Sequence, residues 1–243
     1  VVAEPATGYE LSRILVNDVA LETNVNTFTL TQETTVTAEF EEAVPAYCTY
    51  EGNSSHDQRY VRSITMNGGT SPFSVSVYST TRQAVYVDKT DNVFEAYAGE
   101  EIQPVVDWAG EWMHGYLYID YDKDYTFSYA LGSEGYPTED GELVSYTFYS
   151  PNDSQWGENS KGETTENNSK LDDVPSFTLP EGLTPGEYRV RLKIDWCHLD
   201  PCGHPDEIPN TLTANGGNIV DFTLRIVERP ATYTVTLPET VEN

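Results

Sequence analysis

Arg189-Val190-Arg191-Leu192-Lys193-Ile194 alternates cation and aliphatic residue without a break. Successive side chains on a strand point to opposite faces, so Val190, Leu192 and Ile194 share one side and the three cations the other. A helix would scatter both sets around its axis. The run predicts a strand of an antiparallel sheet with one face buried and the other wet. Its cations stand in a chain with a large acidic surplus, so pairing with carboxylates is expected.

The same pattern recurs outward from this strand. Runs rich in strand formers lie at Arg59–Met66, Phe73–Tyr78, Ala84–Val87, Ile102–Val106, Gly115–Tyr121, Leu143–Tyr149 and Ile219–Val227, with turn signals such as Asn67-Gly68-Gly69 between them. Long i, i+3, i+4 apolar stripes are absent. Many short strands at this spacing predict an all-β fold, an antiparallel two-sheet β-sandwich of immunoglobulin or jelly-roll type over residues 43–229. Residues 1–42 read as a small β meander, with strand runs at Ile14–Val16, Thr27–Leu30 and Thr34–Phe40. Residues 230–243 read as the start of a further β module or a tail. Residues 150–174, SPNDSQWGENSKGETTENNSKLDDV, carry almost no apolar content and predict a long mobile loop.

Charge narrows the partners. Against 13 Lys and Arg stand 40 Asp and Glu, a formal net charge of −27. A field of that sign repels phosphate backbones and anionic membranes, so no nucleic-acid partner is expected. It attracts divalent cations and suits a surface or secreted protein. No apolar run approaches the ~20 residues of a spanning helix, so no membrane insertion is expected. The chain opens VVAEPATG without Met and reads as a mature fragment or an excised piece of a longer protein.

The stretch YIDYDKDYTF, Tyr118–Phe127, sets Asp120, Asp122 and Asp124 two residues apart. On a strand these three would share one face, where like charges repel unless they lie in water or share a cation. A calcium ion at a strand end is the expectation, with Thr126 adding a carbonyl or hydroxyl oxygen. A metal-free acidic strand end with solvated charges is the alternative. Oxygen-ligand calcium loops of the Asp-x-Asp-x-Asp-Gly type turn sharply at a sixth-position Gly with positive φ. Here Tyr125 holds that position, and a bulky side chain takes positive φ poorly.

Three Cys leave an odd one. Cys197 and Cys202 lie in WCHLDPCG, where Pro201 and Gly203 favour a turn, so a Cys197–Cys202 disulfide is expected with Cys48 as a buried thiol. Pairing of Cys48 with Cys202 is the alternative. Zinc held with His198 and His204 is a weaker fit, because the spacing matches no common finger.

Trp108, Trp112, Tyr116, Trp156 and Trp196 lie close in sequence to carboxylates and amides, the materials of a sugar site. Trp196 ends the alternating strand and, with Trp112, is expected in the core. Trp108 and Trp156 are the candidate ligand-binding platforms among the five, although the first reading of Trp156 is an anchor that folds the polar loop back onto the core. Catalysis is not expected. His56, His114, His198 and His204 are accompanied by no nucleophile elbow, His-Glu-x-x-His helix or phosphate-cradling Gly loop.

Several segments together resemble the GEVED family of β-sandwich domains from bacterial secreted and surface proteins. The resemblance runs through Tyr47-Cys48, Tyr60 to Gly69, Ala96 to Val106, Ile119 to Phe127, Gly141-Glu142-Leu143 and LTPGEYRVR from Leu183 to Arg191. The naming motif is degenerate: Gly217 to Thr223, GNIVDFT, keeps Gly, Asp, aromatic and Thr but lacks the acidic pair. Residues 8–40 resemble the second half of an internalin B-repeat-like module, through Gly8-Tyr9, the Val16-Asn17 turn and the closing TTVTAEF of Thr34–Phe40. The tail from Ala231 resembles the opening strand of another. The resemblance implies a non-catalytic extracellular accessory domain, binding a glycan or a cell-surface protein beside further modules of a longer chain. A purely structural spacer is the alternative, and a glycoside hydrolase the third reading.

Overall fold

The computed structural model describes residues 4–6, 9–21, 33–50, 54–152, 154–166, 174–196, 198–203 and 212–231. The chain divides into two compact units, Val1–Ala46 and Tyr47–Asn243.

In the first unit β1 (Tyr9–Val16), β2 (Val19–Ala20) and β3 (Val36–Glu42) form an antiparallel sheet ordered β2-β1-β3. Asn17 and Asp18 both take positive φ, 52° and 64°. That is the type I′ hairpin geometry, which Asn and Asp tolerate because their short side chains bond locally. The Asn17 side-chain oxygen accepts from the Thr35 N–H at 3.0 Å, tying the turn to the approach of β3. The expected strand at Thr27–Leu30 lies outside the described residues, as do most of 230–243.

The second unit is built from β4 (Tyr60–Asn67), β5 (Phe73–Ser76), β6 (Tyr86–Ala96), β7 (Glu101–Ala109), β8 (His114–Ile119), β9 (Leu143–Tyr146), β10 (Trp156–Glu158), β11 (Thr164–Glu166), β12 (Phe177–Thr178), β13 (Gly186–Asp195), the short helix α1 (Leu212–Asn215) and β14 (Asn218–Ile226). A four-stranded sheet, β12-β7-β4-β5, faces a five-stranded one, β6-β14-β13-β8-β9. Between them lie Val61, Ile64, Phe73, Ile102 and Val106 from the first sheet and Phe94, Leu117, Val190, Leu192 and Phe222 from the second. Two inner faces interdigitating around one apolar layer make this a β-sandwich. One pairing departs from the expected antiparallel pattern. β6 runs parallel to β14, so the five-stranded sheet is mixed.

The outer face of β13 differs from expectation. Arg191 and Lys193 are fully buried, not wet. A second layer covers them, formed by Tyr47, Phe127 and Leu199 over Tyr116 and Tyr118, and by Tyr50 and Leu212 over Ile219. Strand alternation decides which residues share a face; it does not say what covers that face. The expected pairing of the cations does hold. Arg191 bonds Asp221 at 2.7 Å and Lys193 bonds Asp195 at 2.7 Å.

The expected loop at 150–174 holds a hairpin, β10 with β11, docked through a bridge between Tyr149 and Glu158. Gly157 makes the docking possible. A Cβ there would stand 2.1 Å from the Tyr149 carbonyl oxygen, so any side chain would lift the hairpin off the sheet.

Candidate functional site

The three aspartates converge, though not as the strand reading supposed. β8 ends at Ile119, and residues 120–126 form a coiled loop instead of a strand end. Lys123 and Tyr125 take positive φ, 62° and 69°, so Tyr125 adopts the turn its bulk was expected to resist. The surrounding bonds hold it there. Buried Asp120 accepts from the Lys123 N–H at 2.6 Å, the Tyr125 N–H at 3.2 Å and the Tyr47 hydroxyl at 2.5 Å. Asp122 accepts from the Asp124 N–H at 3.1 Å, and Asp124 from the Thr126 N–H at 2.8 Å. The Asp120 carboxylate thus acts as the hub of the loop.

One oxygen from each aspartate lies within 4.8 Å of the others. Oxygens coordinating one calcium at about 2.3–2.6 Å stand no more than about 5 Å apart, so the spacing fits a shared ion. Asp120 brings desolvated charge, while Asp122 and Asp124 are exposed and open to water ligands. The Thr126 hydroxyl donates to Asp124 at 2.7 Å, which holds the Asp124 carboxyl below the ordinary carboxylate range.

Glu142 braces the other side of the loop. Its oxygens accept from the Tyr121 N–H at 2.6 Å and the Ser128 N–H at 2.8 Å. Burial nonetheless raises its pKa above the usual value. Desolvation outweighs the favourable amides here.

The disulfide joins Cys48 to Cys202, across 154 residues, and not Cys197 to Cys202. The Arg191 guanidinium explains the choice. It donates to the Cys48 carbonyl at 2.8 Å and to the Pro201 carbonyl at 3.2 Å, gathering the two segments over β13. Cys197 lies outside the described residues.

The tryptophans sort differently from expectation. Trp108 is half-buried and packs against the main core, which makes it a wall of the sandwich instead of an open platform. Trp156 is 59% exposed on β10, so it is no buried anchor. Trp112 and Trp196, expected in the core, lie near its margin with ring centroids 6.3 Å apart, and Trp112 is 36% exposed. Arg59 covers the Trp196 ring at 5.6 Å. Trp112 takes φ of 62°, a conformation that sequence pattern does not signal in a bulky residue.

A cleft of about 610 Å³, unforeseen from sequence, opens beside the acidic loop. Tyr121, which stands between Asp120 and Asp122, forms part of its wall, with Glu101, Glu139, Ser160, Lys161 and Ser176 around it. Its residues come from five separate stretches of chain, which is why no local motif reveals it.

A two-sheet sandwich with a capped outer face and an acidic loop after β8 is thus the class of protein defined by the fold. Residues 114–225 match the family model of the GEVED domain, the family that the sequence resembles. The match includes the acidic loop, the β13 alternation and the degenerate GNIVDFT segment. It reaches neither residues 1–42 nor 230–243, and the B-repeat-like reading of those flanks stays a resemblance. No match to the chain is found among curated proteins.

Proposed function

We propose that this chain is a non-catalytic accessory binding module of a bacterial surface or secreted protein, taking a glycan or a surface protein as its partner, with its acidic loop fastened by calcium. The observation that carries the reading is the polar-walled cleft beside the acidic loop, and Trp156 adds open aromatic surface. An indole that serves only to pin a loop is buried by it, whereas this one is 59% exposed on a hairpin already fixed by other contacts. Exposed aromatic area of that kind is characteristic of contact surfaces.

The Cys48–Cys202 bond supports an oxidising compartment, where such bonds persist. Among the described residues no helix is long and apolar enough to cross a membrane. Two observations weigh against hydrolysis as the role. His114 is fully buried against Phe148, at 4.4 Å between ring centroids, away from any dissolved substrate. Glu142, though its pKa is raised, spends both oxygens on the amides of Tyr121 and Ser128.

The spacer reading predicts that immobilised protein retains neither glycans nor surface proteins; selective retention of one is the result expected here. The calcium part has its own test. Calcium at a hundredfold over its Kd stabilises the folded state by about 2.7 kcal/mol, about 5–10 °C in Tm for a unit of this size. Asp122→Ala is expected to remove that increment in calcium and to leave Tm in chelator unchanged. Equal losses in both would take the metal out of the account.

A further inference from the structure

We infer that the cleft beside the acidic loop is the ligand site, and that it takes a neutral oligosaccharide; this rests on the binding reading and names its place and ligand class. The size is that of a small-ligand site, since such pockets commonly span roughly 300–1,000 Å³. The chemistry of its walls selects the ligand. Each sugar hydroxyl both donates and accepts, so a saccharide site needs the two kinds of group interleaved.

This cleft supplies them on a connected chain. Lys161 Nζ donates to Ser176 Oγ at 2.6 Å, and Ser176 Oγ donates to Glu101 Oε1 at 2.8 Å. Ser160 lies beside Lys161 and shares a hydroxyl bond of 3.0 Å with Ser145. Glu139 adds a second carboxylate, and the half-buried Tyr121 ring lines the wall. A ring with an apolar C–H face and an equatorial belt of hydroxyls matches an aromatic wall bordered by such groups.

Charge excludes the neighbouring ligand classes. The single wall cation, Lys161, is already engaged with the Ser176–Glu101 chain, and two carboxylates stand nearby. With a net charge of −27 on the whole chain, a uronate or sialylated glycan meets repulsion without a free cation in the cleft to offset it. Trp156 is not among the lining residues, although the hairpin it begins carries Ser160 and Lys161 into the wall. Its indole is therefore separate from the site.

The test is a calorimetric titration of the full chain with pentasaccharides of glucose, mannose and xylose, and with a galacturonate pentasaccharide. Binding of at least one neutral probe, and none of the galacturonate, is expected. Glu101→Gln combined with Lys161→Ala is expected to weaken that binding at least tenfold. Both mutated cleft residues are exposed, so unchanged melting curves should accompany the loss. Binding that survives the double substitution and disappears with Trp156→Ala would overturn the cleft as the site while leaving a glycan-binding module intact. No binding by any neutral probe would overturn the saccharide assignment, and retention of a surface protein would then still support the broader reading.

Discussion

Replacing both partners of the disulfide, Cys48→Ser with Cys202→Ser, is expected to cost about 5 kcal/mol in denaturant unfolding, near the upper end for a single bridge. The bond closes a loop with a sequence separation of 154, so in the chain-entropy view it strongly restricts the unfolded ensemble. Its loss also loosens a built layer. Cys48 and Pro201 supply carbonyls to the buried Arg191 guanidinium, and Tyr118 donates its hydroxyl to the Leu199 carbonyl beneath the same cover. Reductant should produce a comparable loss in the unaltered protein. An unfolding midpoint unchanged by both treatments would mean that the cover holds without its covalent tie.

Asp221→Ala carries the second large effect, a loss of about 3–5 kcal/mol by the same measurement. Arg191 and Asp221 are both fully buried and meet through two bonds, Nε to Oδ1 at 2.7 Å and Nη2 to Oδ2 at 2.8 Å. Arg189 and the Tyr86 hydroxyl each reach Oδ2 at 3.1 Å, so one carboxylate serves four donors. Removing it leaves a guanidinium desolvated with no counter-charge, which costs far more than the intact pair contributes. The same carboxylate helps burial raise the Tyr86 pKa to about 12. In Asp221→Ala the Tyr86 phenol is therefore expected to ionise at lower pH than in the parent, a change that phenolate absorbance records. A loss under about 1 kcal/mol would show that the pair is dispensable.

The β13 run shows how far sequence reasoning reaches. Its alternation correctly assigns Val190, Leu192 and Ile194 to the core, because period-two patterning is local. The cover over Arg191 and Lys193 joins the nearby turn at 198–202 to a segment around Cys48 that is 143 residues from Arg191, and strand alternation announces neither. The acidic loop shows a subtler limit. The aspartates were readable as a cluster, but the convergence depends on left-handed Lys123 and Tyr125, held by bonds to Asp120, in place of the expected glycine. The core expectation for Trp196 rests on its place at the end of the alternating strand, and Trp112 shares that expectation. Their place near its margin depends on the backbone turn at Trp112, which composition cannot signal. The hairpin within 150–174 escaped because its strands are polar and three residues each. Its docking relies on Gly157 and not on an apolar stripe.

The measurement that bears most directly on the account is a broad glycan array probed with the full chain, once in calcium and once in chelator. Selective binding to neutral glycans is expected, with weaker signal in chelator because Tyr121 joins the acidic loop to the cleft wall. A blank array in both conditions, together with no surface protein retained from cells, would contradict the binding module and leave the spacer in its place.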